Sequence, residues 1–212
     1  MVAFPVTEDD SEDDTVRTAM SELPEVLTPL ADAAAKDEIV AATQRWLERA
    51  VIGLNLCPFA KSVHVKQQIR YAVSAASDAD ALLAELEHEF QILTDTDPKQ
   101  LDTTLLIHPQ VMVDFLDYHF FLAETEALLR RLELDGIYQI ASLHPQYEFA
   151  GTAPDDIDNV TNRSPYPTLH LLRESSIDRA VAAFPDAERI YERNIDTVRR
   201  LGHEGWMKLW VE

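Results

Sequence analysis

The only cysteine of the chain, Cys57, is the first side chain whose type suggests chemistry. A thiol becomes a good nucleophile as the thiolate, which needs a neighbouring base or cation. His64 follows soon after it, and His144 and His170 lie further along the chain. Cys57, His144 and His170 are therefore the candidate catalytic residues. The structural alternative is a buried cysteine that packs as a small apolar side chain.

A second group of candidates lies in residues 144–174, most of which show neither helical nor strand periodicity. A connection of that length inside a compact domain is usually a functional loop or a disordered one. Its mixture of aromatic and polar side chains is typical of an ordered, polar binding site. The residues expected to bind a ligand there are Asn162, Arg163, Tyr166, Arg173, Asp155 and Asp156.

Arg163 and Arg173 are expected to clamp an anion, because the planar guanidinium group matches a carboxylate or a phosphate. If residues 168–174 form a strand, His170 and Arg173 point to opposite faces, so at most one of them faces a given pocket directly. The alternative is internal, with the arginines paired to carboxylates of the loop and its asparagines bonded to the loop backbone.

Asp155 and Asp156 also have two interpretations. Together with Asp158 they could hold a divalent cation, since hard cations take oxygen ligands. Turn formation after Pro154 is the commoner use of such a pair. The sequence contains no His-x-x-x-His or Cys-x-x-Cys spacing, so the identity of any metal or other cofactor stays open.

The elements that must position these residues follow from apolar periodicity. Alternation predicts strands at residues 68–74, 103–107, 137–143 and 168–173. Helical spacing predicts helices at residues 37–53, 77–93 and 113–134, with two more after residue 174. Asp37 and Ser77 are the expected helix starts, and Gly53 and Gly202 the expected stops. This order predicts an α+β or α/β fold, a two-layer sandwich of a roughly four-stranded sheet covered by helices.

The charge of the chain limits its partners. It contains 18 Lys and Arg against 38 Asp and Glu, a net charge of −20. Contacts with phosphate backbones need clustered basic residues, so nucleic acids and anionic membrane surfaces are not expected as partners. Residues 1–36 hold nine of the acids and two of the bases, a net of −7. They are predicted to form a mostly disordered acidic leader, with residues 37–212 as a single globular domain.

The N-terminus lacks the basic and apolar regions of a secretion signal, and no run of about eighteen apolar residues could span a membrane. A single cysteine also permits no internal disulfide bond, which suits a reducing compartment. These features predict a cytoplasmic protein. They do not predict its oligomeric state.

No Rossmann, P-loop, zinc-finger or EF-hand pattern is present. Three runs, GLNLCPFAKSVH, SLHPQYEFAGT and NRSPYPTLHLLRE, resemble those of a mainly bacterial family known as domain of unknown function 1415. The resemblance covers roughly residues 38–203. It implies a small intracellular domain, and it implies no reaction and no catalytic residue.

The residue types favour a small enzyme that acts on a compact anionic metabolite, although they do not establish that the protein is an enzyme. In this hypothesis His144 is the acid or base, Arg163 and Arg173 hold the anion, and Cys57 is a nucleophile. One alternative is a non-catalytic sensor module that binds a small ligand, a metal or haem. The other is a protein-interaction domain.

Overall fold

The computed structural model describes residues 27–183 and 189–211. The chain divides after Glu38 into two units, Met1–Glu38 and Ile39–Glu212. Within the first unit, the described residues, 27–38, are helical. Most of the expected acidic leader, residues 1–26, lies outside the described residues. The sheet, the cavity and the groove described below belong to the second unit.

Helices and strands follow one another in a simple order. Helix α1 (Leu27–Trp46) continues as a π-helical turn (Leu47–Ile52), and helix α2 (Ala60–Val65) precedes strand β1 (Ile69–Val73). Next come α3 (Ala79–Asp95), β2 (Thr103–Ile107), α4 (Phe115–Arg131) and β3 (Tyr138–Leu143). A 3-10 helix (Ile157–Asn162) lies within the long loop, before β4 (Thr168–Arg173), α5 (Glu174–Ala183) and α6 (Ile190–Lys208).

The four strands form one mixed sheet in the order β1-β2-β4-β3. Strands β1 and β2 are parallel, and β4 is antiparallel to both of its neighbours. This sheet confirms the predicted α+β class and the predicted number of strands. Because β2 and β3 both run opposite to β4, their C-terminal ends lie on the same side of the sheet, next to the start of β4. His108 and His144, which follow them directly, therefore lie on that side.

The two faces of the sheet differ because successive strand residues point to opposite sides. Leu169 and Leu171 of β4 are fully buried in the main apolar core, with side chains of α3 and α4 such as Phe90 and Leu128. Between them, His170 points to the other side, in register with Leu105 and Ala141 of the neighbouring strands. We call the side of Leu169 and Leu171 the core face and the side of His170 the cavity face.

Residues near the π-helical turn pack on the cavity face. Trp46, Leu47, Ala50 and Ala60 form a small buried cluster, against which Ile69 of β1 and Leu143 of β3 pack. A third cluster joins Leu56, Val160 and Val198, and so connects the turn after the π-helix to the 3-10 helix and α6. Helical segments thus lie on both faces of the sheet.

The first helix begins earlier and ends differently than its sequence suggests. Asp37 lies inside α1 and is not its N-cap, because the alanine-rich residues 30–36 favour helix and α1 begins at Leu27, with Pro29 in its first turn. Gly53 is not a left-handed stop, since its φ is −62°. A Cβ at Gly53 would lie 2.3 Å from the carbonyl oxygen of Arg49, so this position needs glycine for close backbone contact.

Two further helix ends concern the elements beside the site. Helix α3 is capped by Asp78 rather than Ser77, because the Asp78 carboxylate accepts a hydrogen bond from the Ala81 N–H. In α6, Gly202 has φ 64° and ψ 173° and interrupts the helix, as predicted, but helical structure resumes and continues to Lys208. The segment after Gly202 carries Trp206.

Candidate functional site

A cavity of about 320 Å³ lies on the cavity face of the sheet. Its wall is mostly apolar and is built by the π-helical turn, α2, all four strands and α5. The candidate residues Cys57, His170 and Asn162 all line it. His144 does not belong to this wall. The structure therefore brings together two of the three candidate catalytic residues.

The hydrogen bonds around His170 determine its tautomer. The Thr103 hydroxyl lies 2.6 Å from the Leu171 carbonyl oxygen, to which it must donate its single proton. The same Thr103 oxygen is 2.8 Å from His170 Nε2, so it accepts a hydrogen bond from Nε2–H. Burial lowers the pKa of His170 to about 4, so the ring is neutral near pH 7. Nδ1 then carries a lone pair that no described side chain or backbone group satisfies.

Cys57 is half-buried and contacts the cluster around Trp46. Burial raises the pKa of the Cys57 thiol above its ordinary value of 9.0, although backbone hydrogen bonds with Phe59 and Ala60 offset part of the effect. The thiol therefore stays protonated near neutral pH. Cys57 and His170 thus line one cavity as two neutral groups, unlike the thiolate and imidazolium of an activated cysteine site.

A charged group also lines the cavity, at the start of β2. The Asp102 carboxylate accepts a 2.6 Å hydrogen bond from the Ser176 hydroxyl. The Ser176 oxygen accepts one in turn from the Arg179 guanidinium, which lies 3.8 Å from Asp102. Because Arg179 compensates the charge of Asp102, this part of the wall is polar without a strong negative charge.

His144 has the environment of a structural residue. Its Nδ1 accepts a hydrogen bond from the Gln146 N–H at 3.0 Å, so Nε2 carries the proton and donates to the Met112 carbonyl at 3.2 Å. Its ring stacks on Tyr118 with centroids 5.1 Å apart and is fully buried. Burial lowers the pKa of His144. With both nitrogens occupied by backbone groups, the ring has no position free for proton transfer to a substrate.

Tyr118 stacks between His108 and His144 and connects the end of β3 to the start of β4. Its hydroxyl donates to the Thr168 carbonyl at 2.9 Å and accepts from the Leu143 N–H at 3.1 Å. Its ring also stacks on His108, with centroids 5.7 Å apart. Burial lowers the pKa of His108 to about 4, so this ring is neutral at pH 7 as well. The arrangement holds one edge of the sheet together.

Arg173 is directed into the core face, away from the cavity. Its guanidinium donates to the Tyr138 hydroxyl at 3.0 Å and to backbone carbonyls of Leu93, Thr96 and Leu101 at and beyond the end of α3. A cation at the carbonyl end of a helix also stabilises the helix dipole. The side chain is 8 % exposed. These contacts give Arg173 a structural role and do not support the predicted anion clamp.

The rest of the long loop is held by its own polar groups. Asn159, which is fully buried, bonds to Phe149, Thr152 and Ala153 through its side-chain amide. The Arg163 guanidinium donates to the Tyr147 and Pro154 carbonyls at 3.1 and 2.6 Å. Arg163 therefore bonds to neutral carbonyl oxygens and not to the loop carboxylates that the structural alternative had named.

The remaining candidates show mostly local contacts. Asp156 caps the 3-10 helix by accepting from the Asp158 N–H, and Asp155 is exposed beside it, as turn residues would be. The Tyr166 carbonyl, rather than its ring, accepts bonds from Ser164 and Thr168. Within the described part of the chain, no group of three or more His, Cys, Asp or Glu side chains could hold a metal ion.

A second concave region, the arginine groove, lies on the surface beside the same elements. It has a volume of about 730 Å³ and is lined by Ala42, Arg45, Trp46, Arg49, Pro145, Arg163, Ser164, Pro165, Trp206 and Trp210. Among the described residues, this lining contains three arginines and no acidic residue. Trp46 belongs to both the groove and the cavity wall.

Several of these residues were not predicted from the sequence. Thr103, which sets the tautomer of His170, pairs with it across 67 positions of sequence, so no local pattern marks it. Arg45 and Arg49 did have a signal. They are four residues apart, the spacing of neighbours on one helix face, and they flank Trp46 in a chain dominated by acids.

Taken together, fold and site define an α+β protein with a mixed four-stranded sheet, a mostly apolar cavity on one sheet face and an arginine-lined groove beside it. A family model described as "Protein of unknown function (DUF1415)" matches residues 38–208, and the chain belongs to that family. Searches of curated proteins and of solved structures returned no match. None of the described helices is long and apolar enough to cross a membrane.

Proposed function

We propose that this protein is a binding module for a small, uncharged, largely apolar molecule that carries one hydrogen-bond donor. The observation that carries the proposal is the neutral His170 ring in the wall of a mostly apolar cavity, with the Nδ1 lone pair unsatisfied. The ligand would occupy the cavity and donate its hydroxyl or N–H hydrogen to that nitrogen.

The size and lining of the cavity support this class of ligand. Its volume of about 320 Å³ is at the lower end of the range of roughly 300–1,000 Å³ that is usual for small-molecule sites. Apolar walls with a few placed polar groups are also usual for such sites. No lysine or arginine is among the described residues that line the cavity. A carboxylate or phosphate would therefore enter without the cation that its desolvation requires.

A Cys57-dependent enzyme is the second candidate, because Cys57 and His170 line the same cavity. Catalysis would require a proton to move from the thiol to the imidazole. Burial opposes this transfer, since it raises the pKa of Cys57 and lowers the pKa of His170. Both shifts favour the neutral pair, so binding is the better-supported function.

Two molecules of nearly equal shape test the proposal. p-Cresol carries a hydroxyl where p-xylene carries a methyl group, and both are uncharged. We expect both to raise the melting temperature of the full chain, because a ligand that binds only the folded state stabilises it. p-Cresol should bind about five- to tenfold more tightly, which corresponds to about 1 kcal/mol for one hydrogen bond.

Two variants show whether the binding occurs in this cavity. Ala141 lines the wall in register with His170, so Ala141→Phe should fill the cavity and abolish binding of both molecules. His170→Leu should keep p-xylene binding and remove the preference for p-cresol. His88→Leu, at an exposed histidine of α3, is the matched control and should bind like the wild type. If neither molecule raises the melting temperature, or if the preference survives in His170→Leu, the proposal is wrong.

A further inference from the structure

The arginine groove differs from the rest of this acidic chain in its charge. Acids outnumber Lys and Arg by 38 to 18, yet the described residues that line the groove include three arginines and no carboxylate. Arg49 donates to the Leu209 carbonyl at 3.0 Å, and Arg163 donates only to carbonyls of its own loop. Arg45 is exposed and has no partner within the described residues. All three positive charges are therefore without a neutralising carboxylate among those residues.

The groove is also rich in tryptophan. The chain contains three tryptophans, and all three, Trp46, Trp206 and Trp210, line it. Trp206 and Trp210 meet edge to face, with ring centroids 5.5 Å apart and an interplanar angle of 76°. Pro145 and Pro165 add flat apolar surface. Indole faces stack on planar rings and attract guanidinium groups, so both features suit one ligand.

From these two features we infer that the arginine groove binds a small anion attached to a planar aromatic or heteroaromatic ring. The arginines supply forked donors for a phosphate or carboxylate, and the tryptophans supply surface for the ring. The volume of about 730 Å³ is within the usual range for a ligand of nucleotide size. The net charge of −20 favours such a compact ligand over a nucleic-acid strand, whose further phosphates would meet acidic surface. The groove is thus a second site, distinct from the cavity in the charge of its ligand.

Tryptophan fluorescence can follow this binding directly, because every tryptophan of the chain lines the groove. The full chain is titrated with adenosine monophosphate, with adenosine, which lacks the anion, and with inorganic phosphate, which lacks the ring. 4-Methylbenzoate tests a carboxylate on a ring. We expect a saturable change with adenosine monophosphate or 4-methylbenzoate, at least about tenfold tighter than with adenosine or phosphate. Which of the two binds identifies the anion as phosphate or carboxylate.

Arg45→Gln is the informative variant. Since Arg45 has no described partner, its loss should leave the melting temperature unchanged while weakening the ring-bearing anion about tenfold. Arg130→Gln is the matched control, at an exposed arginine of α4, and should bind like the wild type. Trp46 also lines the cavity, so a ligand bound there would change its fluorescence as well. A parallel titration with p-cresol measures the change that comes from the cavity. The inference is overturned if no ring-bearing anion saturates the signal, if adenosine binds equally well, or if Arg130→Gln and Arg45→Gln weaken binding alike.

Discussion

The two faces of the sheet use the same strands for different purposes. On the core face, Leu169 and Leu171 of β4 are fully enclosed by α3 and α4, and the polar side chain Arg173 closes the end of α3. On the cavity face, His170 and Leu172 of the same strand border a cavity. Strand β4 thus lies between a close-packed apolar core and a cavity.

This difference explains why ionisable side chains have such different roles on the two faces. Arg173 on the core face donates to carbonyls that would otherwise lack partners, which is a purely structural use. His170 on the cavity face satisfies one nitrogen within the protein and leaves the other unsatisfied. A hydrogen-bond donor on a ligand in the cavity would give this nitrogen the partner that the protein does not supply.

The largest expected effect comes from two adjacent leucines on opposite faces. Leu171→Ala should lower the free energy of unfolding by about 3 kcal/mol, because it leaves a void in a close-packed core. Leu172→Ala should cost about 1 kcal/mol, because Leu172 already borders empty space and is only partly buried. Urea denaturation at pH 7 measures both values. Equal losses would show that the two faces are packed alike.

A smaller effect should appear in the pH dependence of stability. The pKa of His170 is about 4 in the folded protein, below the ordinary value of 6.5, so the unfolded chain binds the proton more readily. The stabilisation is complete above pH 6.5 and is lost as the pH falls towards 4. The loss amounts to roughly 2–3 kcal/mol. His170→Gln should remove this part of the slope.

Denaturation of wild type and variants at pH 7 and pH 4.5 isolates the contribution of His170. His108, whose pKa is also lowered to about 4, adds to the slope in every variant that retains it. The contribution of His170 is therefore the difference between the pH dependence of stability in the wild type and in His170→Gln. His88→Gln, at an exposed position, should keep the wild-type slope. An unchanged slope in His170→Gln would mean that water in the cavity solvates the His170 ring, so that burial does not lower its pKa.

The smallest expected signal is the reactivity of the single thiol. Iodoacetamide should label native Cys57 slowly at pH 7, and the rate should continue to rise beyond pH 9, because burial raises the thiol pKa. In urea the labelling should be at least about tenfold faster, because the unfolded chain exposes the thiol at its ordinary pKa. His170→Gln should not change the native rate. Fast labelling at pH 7 that His170→Gln slows would favour the Cys57-dependent enzyme over the binding module.

Much of the fold was predictable because strand patterns are local. Strands β2 and β4 have the predicted bounds, and the predicted opposition of His170 and Arg173 is seen in the register. Helix ends were less predictable, because several adjacent residues can each cap or extend a helix. Asp78 rather than Ser77 caps α3, and the alanine run before Asp37 extends α1.

Some residues of the cavity wall were named from the sequence, and their function stays a prediction. Cys57 and His170 were expected to be functional, and they do share a cavity wall. That His144 would have both nitrogens bonded to backbone groups could not be foreseen, since its partner Met112 is 32 positions away. Arg173 likewise reaches carbonyls more than 70 positions away in the sequence.

Local sequence was therefore sufficient for the fold class, the strands and the side of the sheet to which each residue points, because a strand has a period of two whatever surrounds it. Which side would be filled and which would contain a cavity depended on the folded chain. The volume left beside His170 is set by side chains from the π-helical turn, α2 and α5, which meet only after folding. The same is true of the arginine groove, whose charge results from three arginines that the fold collects from two separate segments.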